Sequence, residues 1–333
     1  MTAWTERLRE RRRPNLAVAR AGLGHTAGAV VALMALILAN LAITPNFVDL
    51  NTLYVNLTQV APIAIVAVGM TLVIATGGID LSVGAVMALS GALAPLIFLS
   101  PWGVEAGALG LVAAIVLPLL AAALCGAFNG MLVSVFGVQP IVATLVLFIS
   151  GRGIAQVLTN GQLQTFSNPA FGFIGTGRVL GVPTQALMAL AVGLVAAYAV
   201  RRTVYGRYLL AVGGAPRAAY LAGAPVRQVK IATYMVCAIL AGLAGLVVTA
   251  INSASDAAQS GLLMELDAIA AAVVGGALLS GGRAPVIGAL LGAAIIQLVR
   301  YTLLANGVPD AAALVVKAAI IVLAVWMQRR RVE

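Results

Sequence analysis

The sequence predicts an all-α polytopic membrane protein of about ten transmembrane helices, with a broken or re-entrant element near Gly77 to Asp80 and both termini cytoplasmic. Three observations predict it. Of 333 residues, 62% are hydrophobic and only 9% charged, too few charges to cover an aqueous surface. Apolar runs close to the roughly 20 residues that a helix needs to cross hydrocarbon recur along the chain. The basic residues collect in three short patches between those runs, as they do in cytoplasmic segments of membrane proteins.

The formal net charge of +10 comes from 20 basic against 10 acidic residues, and 18 of the 20 are arginine. In a soluble chain this would suggest nucleic-acid binding. Here 15 of the 20 lie in the three patches, where lipid headgroups and cytoplasmic proteins are the neighbours, so nucleic acid is not expected as a partner. Cys125 and Cys237 fall inside apolar runs and read as small buried hydrophobes, without disulfide or metal spacing. His25 is the single histidine. It reads as a membrane-interface residue, which excludes a paired-His zinc site and disfavours a Ser/His or Cys/His triad.

Residues 1–25 form a basic cytoplasmic N-terminus carrying Arg7, Arg9, Arg11, Arg12, Arg13 and Arg20. The apolar run that follows is too long for a signal-peptide core and has no A-x-A cleavage pattern, so it reads as a retained helix. Residues 26–327 form the membrane domain, with runs at 26–44, 59–76, 82–99, 105–125, 140–158, 185–201, 229–251, 265–280, 286–304 and 309–327. Residues 328–333, with Arg329, Arg330 and Arg331, form a basic cytoplasmic C-terminus. Six runs separate the first patch from the second, around Arg201, Arg202, Arg207, Arg217, Arg227 and Lys230, and four separate the second from the third. Both numbers are even, so all three patches fall on one side. Residues 160–184 and 252–264 then face outward, and their one basic residue is Arg178.

Between the second and third runs, Gly77-Gly78 is followed by Ile79-Asp80-Leu81-Ser82, which places a break, an acid and a hydroxyl together. Asp80 or Ser82 is suited to cap the next helix, and the same residues are candidates for gating. Gly77-Gly78 with Gly84-Ala85 is matched by Gly281-Gly282 with Gly288-Ala289, a candidate internal repeat. Gly103/Gly107, Gly126/Gly130 and Gly288/Gly292 are each four apart, the spacing that lets helix backbones approach closely in lipid. Polar groups at membrane depth are sparse: Asn129, Gln139, Ser150, Arg152, Gln156, Gln297 and Arg300. Neutral amides and hydroxyls suit an uncharged, hydroxyl-rich solute, whereas an ion-coupled pump needs buried carboxylates or a proton relay. Amides also hold helices together. Gly77, Gly78, Asp80, Ser82, Asn129, Gln139, Arg152 and Gln156 are the candidates for the translocation path or its gate.

The cytoplasmic segment 201–230 carries Gly213-Gly214, which ends one element, Pro216, placed as the first residue of a short helix, and Gly223, placed to stop it. A helix of one or two turns is too short to stand alone and makes sense docked on a partner. An ordinary basic loop is the competing reading. Beyond the outer loop, Asp256, Glu265 and Asp267 lie near the outer mouth. They are candidates for docking a partner there, and for Glu265 and Asp267 compensation of a helix N-terminus serves as well.

Arg217-Ala218-Ala219 with Gly223 resembles the E-A-A-x-x-x-G coupling motif of ATP-binding-cassette importer permeases, whose helix inserts into a groove of the ATPase subunit. Residues 61–85, ending Gly77-Gly78-Ile79-Asp80-Leu81-Ser82-Val83-Gly84-Ala85, are similar to the signature of the ribose/xylose/arabinose/galactofuranose branch of these permeases, within the branched-chain amino acid/monosaccharide permease superfamily. Gln139-Pro140, Ala143-Thr144-Leu145 and Gly151-Arg152-Gly153 follow the same pattern. So do residues 265–270, 274–276 and 280–283. Residues 156–168 and Gly307-Val308-Pro309 look closest to the galactofuranose type. The chain departs from the motif in one place, Arg217 standing where the family has Glu, so an acid-mediated contact to the ATPase is not expected.

The resemblance implies a permease homodimer or heterodimer with cytoplasmic ATP-binding subunits and a periplasmic sugar-binding protein. Pro216, Arg217, Ala218, Ala219 and Gly223 form the coupling site. This chain is expected to bind no cofactor or metal and to have no catalytic residues. ATP and Mg belong to the partner, since the sequence holds no G-x-x-x-x-G-K-[ST] and its lysines are only Lys230 and Lys317. The alternative is an ion-coupled or passive transporter or channel working without an ATPase. A membrane-embedded enzyme has no clustered constellation to support it.

Overall fold

The computed structural model describes residues 16–329. Six of its helices are long and apolar enough to cross a membrane: α2 (Leu50–Ala75), α5 (Ala108–Ser134), α6 (Pro140–Leu158), α8 (Thr184–Arg202), α11 (Val226–Asn252) and α13 (Val286–Ala305). Shorter apolar stretches lie at Ala27–Ile43 within α1 (Leu16–Ile43), at Val83–Phe98, which is α3, and at Ala311–Ile320 within α14 (Asp310–Arg329). The remaining helices are α4 (Pro101–Glu105), α7 (Pro169–Thr176), α9 (Val204–Gly214), α10 (Pro216–Leu221) and α12 (Met264–Val274). The basic residues Arg7 to Arg13, Arg330 and Arg331 lie outside the described residues.

The centre is made by α2. From Ala61 to Ala75 every residue is buried, the pattern of a helix that is apolar all round and enclosed by others. Glycines set the distance of its neighbours. Gly69 of α2 meets the backbone of Cys237 on α11, Gly245 of α11 meets Met87 of α3, and Gly126 and Gly130 of α5 meet Tyr234, Met235 and Ile231 of α11. The pair Gly288/Gly292 of α13 likewise packs on Gly275 and Ala271 at α12. Gly103/Gly107 behaves differently. Gly103 packs on the end of α3, while Gly107 has φ +54 and nothing against it, because it is the turn that starts α5.

Several expected runs change shape, that at 26–44 being helical from Leu16 and that at 59–76 from Leu50. The run at 105–125 is displaced toward the C-terminus and continues to Ser134 as α5. The run at 265–280 is helical only to Val274, because Gly275 and Gly276 (φ +97) stop it. Eleven residues reach only about 16 Å, roughly half the hydrocarbon thickness. Neutral amides do hold helices here: Asn40 of α1 donates to Thr302 of α13 at 2.7 Å, and Asn306 donates to Thr44 at 3.1 Å. Strands are minimal. β1 (Gln164–Thr165) pairs antiparallel with β4 (Ala254–Ser255), tying the segment after α6 to the one after α11, and β2 (Arg178–Val179) pairs with β3 (Val182–Pro183).

Candidate functional site

The break between α2 and α3 builds a buried polar centre. Gly77, at φ +78, turns the chain after Ala75, and Gly78 passes so close to Tyr234 that a Cβ would overlap its hydroxyl. Asp80 and Ser82 are fully buried. One carboxylate oxygen of Asp80, Oδ1, accepts from the Ser82 amide at 2.9 Å and from its hydroxyl at 2.6 Å. Asn129, fully buried on α5, donates to the Ser82 hydroxyl at 2.9 Å. Thr144 of α6 accepts from the Leu81 amide at 3.1 Å. Five helices therefore meet at one turn, α2, α3, α5, α6 and α11.

Ser82 is the residue before α3, but its side chain makes no cap bond. Asp80 bonds the Ser82 amide instead, a turn closed two residues on rather than a bond into the helix proper. Two buried acceptors remain without hydrogen bonds, Asp80 Oδ2 and Asn129 Oδ1. Buried acceptors are normally paired, and these two sit at the turn in the middle of an apolar bundle.

Arg152 stands elsewhere, on α6. Its Nη1 donates to the carbonyl oxygens of Ala257, Ala258 and Ser260 at 3.1, 2.9 and 3.0 Å, fastening the loop that leads to α12. Asp256 is half-buried, and its Oδ1 accepts from the amides of Ala258 and Gln259, fixing the turn of the same loop. Glu265 and Asp267 occupy the first turn of α12, where their charge complements the helix N-terminus, and both are buried. Glu265 lies against Gly84 of α3. Gln139 and Gln156 are exposed at opposite ends of α6, about 25 Å apart along the helix, and neither joins the Asp80 centre.

Against the end of α2, α9 and α10 form a compact corner. Pro216 is the first residue of α10, where its missing N–H costs nothing. The helix stops in a Schellman motif: Ala224 donates to the Ala219 carbonyl and Gly223 to that of Tyr220, both at 2.9 Å, with Gly223 at φ +83. Ala219 turns inward onto an apolar cluster with Leu209, Val212 and Val229. Arg217 and Ala218 face out, as do Tyr220 and Leu221, at 71% and 85% exposure, beside an open groove of ≈ 710 Å³. Tyr205 of α9 is anchored to Thr233 of α11 at 2.9 Å, and burial pushes its phenol pKa up.

Sequence reasoning missed Thr144 and Tyr234 as members of the polar centre. Both look like ordinary span residues until the turn that they touch is known.

The sequence profile described as branched-chain amino acid transport system / permease component matches residues 53–325. The ribose import permease protein of Escherichia coli K12 is 42% identical over 307 residues, covering 91% of this chain and 93% of that protein. The galactofuranose transporter permease protein of the same strain is 40% identical over 275 residues, 83% of this chain and 79% of that one. The fructose import permease protein of Bifidobacterium longum is 33% identical over 281 residues, covering 83% and 77%. No solved structure matches the chain.

Proposed function

The chain belongs to the branched-chain amino acid transport system / permease component family, on its sugar-permease branch, and on that premise we propose that it is the membrane subunit of an ATP-binding-cassette importer for a monosaccharide. It is a multi-pass protein of the bacterial inner membrane. The solute in this reading is galactofuranose or a related pentose or hexose. Ten crossings, the eighth made by the short α12 continued through the non-helical residues 275–285, put both termini in the cytoplasm, with residues 1–25 and 328–333 flanking the permease domain 26–327.

The observation that carries the reading is the α9–α10 corner. A six-residue helix has no stability of its own, yet this one is stopped at a defined glycine, anchored through Ala219 and turned outward through Tyr220 and Leu221. An exposed apolar tip of this kind suits a groove in a cytoplasmic ATPase. Two permease copies, or a pair of different ones, face two ATPase subunits that bind ATP and Mg, and a periplasmic sugar-binding protein delivers solute outside. Closure of the ATPases moves the corner and exchanges outward-open and inward-open packings. The Asp80–Ser82–Asn129 centre supplies acceptors suited to a hydroxyl-rich solute or to the gate that passes it, and Asp256 is the most exposed of the candidates for docking the binding protein.

The test is reconstitution with the ATPase and binding protein that co-purify with the chain, scanning pentoses and hexoses for ATP-dependent uptake. Full uphill sugar uptake by the chain alone, without ATP, would sink the importer reading in favour of a secondary transporter.

A further inference from the structure

Three backbone segments meet at Gly213 with no side chain between them. Gly213 lies at the end of α9, three residues before Pro216 opens α10. A Cβ placed on it would overlap the carbonyl oxygen of Ala75, the last residue of α2, and stand 2.7 Å from the Gly282 amide nitrogen. That amide donates to the same Ala75 carbonyl at 2.9 Å. Gly281, at φ +87, has room for a Cβ only 2.8 Å from the Gly213 carbonyl oxygen and 3.0 Å from the Gly77 amide nitrogen. The two glycine turns at 77–78 and 281–282, matched in sequence, therefore touch each other, and the end of α9 touches the 281–282 turn and the last residue of α2. The adjacent Gly214 has nothing within 4 Å of its Cβ position.

A second observation runs in parallel. The apolar cluster under the corner joins Val212 and Ala219 to Val68, Leu72 and Ala75 of α2 and to Val286 at the start of α13. Side chains on a surface absorb a displacement by changing rotamer, whereas backbone pressed on backbone in a close-packed interior passes it on. We infer that Gly213 is a positioning residue of the transport cycle, the contact through which movement of α10 shifts both broken segments, 77–82 and 275–285, together. The inference rests on reading α10 as the ATPase-docking helix.

The experiment uses the full chain assembled with its ATPase and binding protein in proteoliposomes. Gly213→Ala is expected to keep the ATPase bound and ATP turnover within about twofold, while sugar uptake per ATP hydrolysed falls on the order of tenfold. Gly214→Ala is expected to leave both unchanged. Uptake per ATP retained in Gly213→Ala, or ATP turnover and uptake lost equally in an assembled complex, would overturn the inference. A measurement without that substitution decides the matter if Gly213→Ala fails to assemble. With Cys125 and Cys237 replaced, spin labels at Arg207→Cys on α9 and Arg283→Cys, both exposed, are expected to hold the same separation in ATP-free and ATP-trapped complexes. A separation that changes by several ångströms between those states would show that the corner moves independently and overturn the inference. Should the unmodified complex show no ATP-driven uptake at all, it is the importer reading that fails.

Discussion

Ser82 donates its hydroxyl to Asp80 at 2.6 Å in a region where neither side chain reaches solvent. The bond ties the acid to the start of α3, and Asn129 completes it from α5. Asp80→Asn retains an oxygen for both Ser82 bonds, so folded protein with altered sugar uptake is expected, the outcome that favours a gate over a cap. Asp80→Ala strands the Ser82 donors and should lower stability by about 1–3 kcal/mol. Thermal unfolding in detergent together with uptake separates the two.

Close helix approach at α5 gives a second expectation. A Cβ on Gly130 would stand 2.7 Å from the Ile231 backbone, and one on Gly126 would stand 2.7 Å from that of Met235. Gly130→Val should destabilise the bundle by about 1–3 kcal/mol through overpacking, whereas Gly153→Ala, facing open space on α6, should be close to neutral. Midpoints of thermal unfolding check both.

At the α10 corner, Gly223→Val forces a branched residue into left-handed backbone and should cost about 1–3 kcal/mol locally, and Ala219→Leu overfills the cluster beneath. Both are expected to reduce co-purification of the ATPase while the chain still inserts into the membrane. Unchanged co-purification and transport would remove α10 as the docking helix.

Arg152→Ala removes the Nη1 group, whose two hydrogens are shared among three carbonyl oxygens of the 257–260 loop. With charge-assisted bonds contributing about 1.5–3 kcal/mol each, amide exchange in residues 256–262 should accelerate by tenfold or more, leaving α2 and α11 protected. Hydrogen–deuterium exchange measures it, and unchanged protection of the loop would show that Arg152 does not hold it.

How much of this was legible beforehand depended on whether a feature is local. Pro216 and Gly223 act on their own turn, so the bounds of α10 could be read from their spacing. The break at Gly77 was legible for the same reason, since two glycines and an acid interrupt an apolar run. Hydropathy reports burial rather than helicity, and it therefore extended the 265–280 run past Gly275, where backbone geometry ends the helix. Spacing alone could not tell Gly126/Gly130, which press on another helix, from Gly103/Gly107, one of which only turns the chain. The contacts of Thr144, Tyr234 and Gly213 were not legible, because each is made with a partner more than 60 residues away in sequence.

The enclosed half of α2 changes how substitutions along it should behave. A helix with one face to lipid tolerates change in a rhythm of three or four. From Ala61 to Ala75 no position is free in that way, so a saturation scan would return an unbroken band of fifteen sensitive sites, intolerant of added volume and of buried charge alike. Pro62, at the mouth of that band, marks where the rhythm of tolerance gives way.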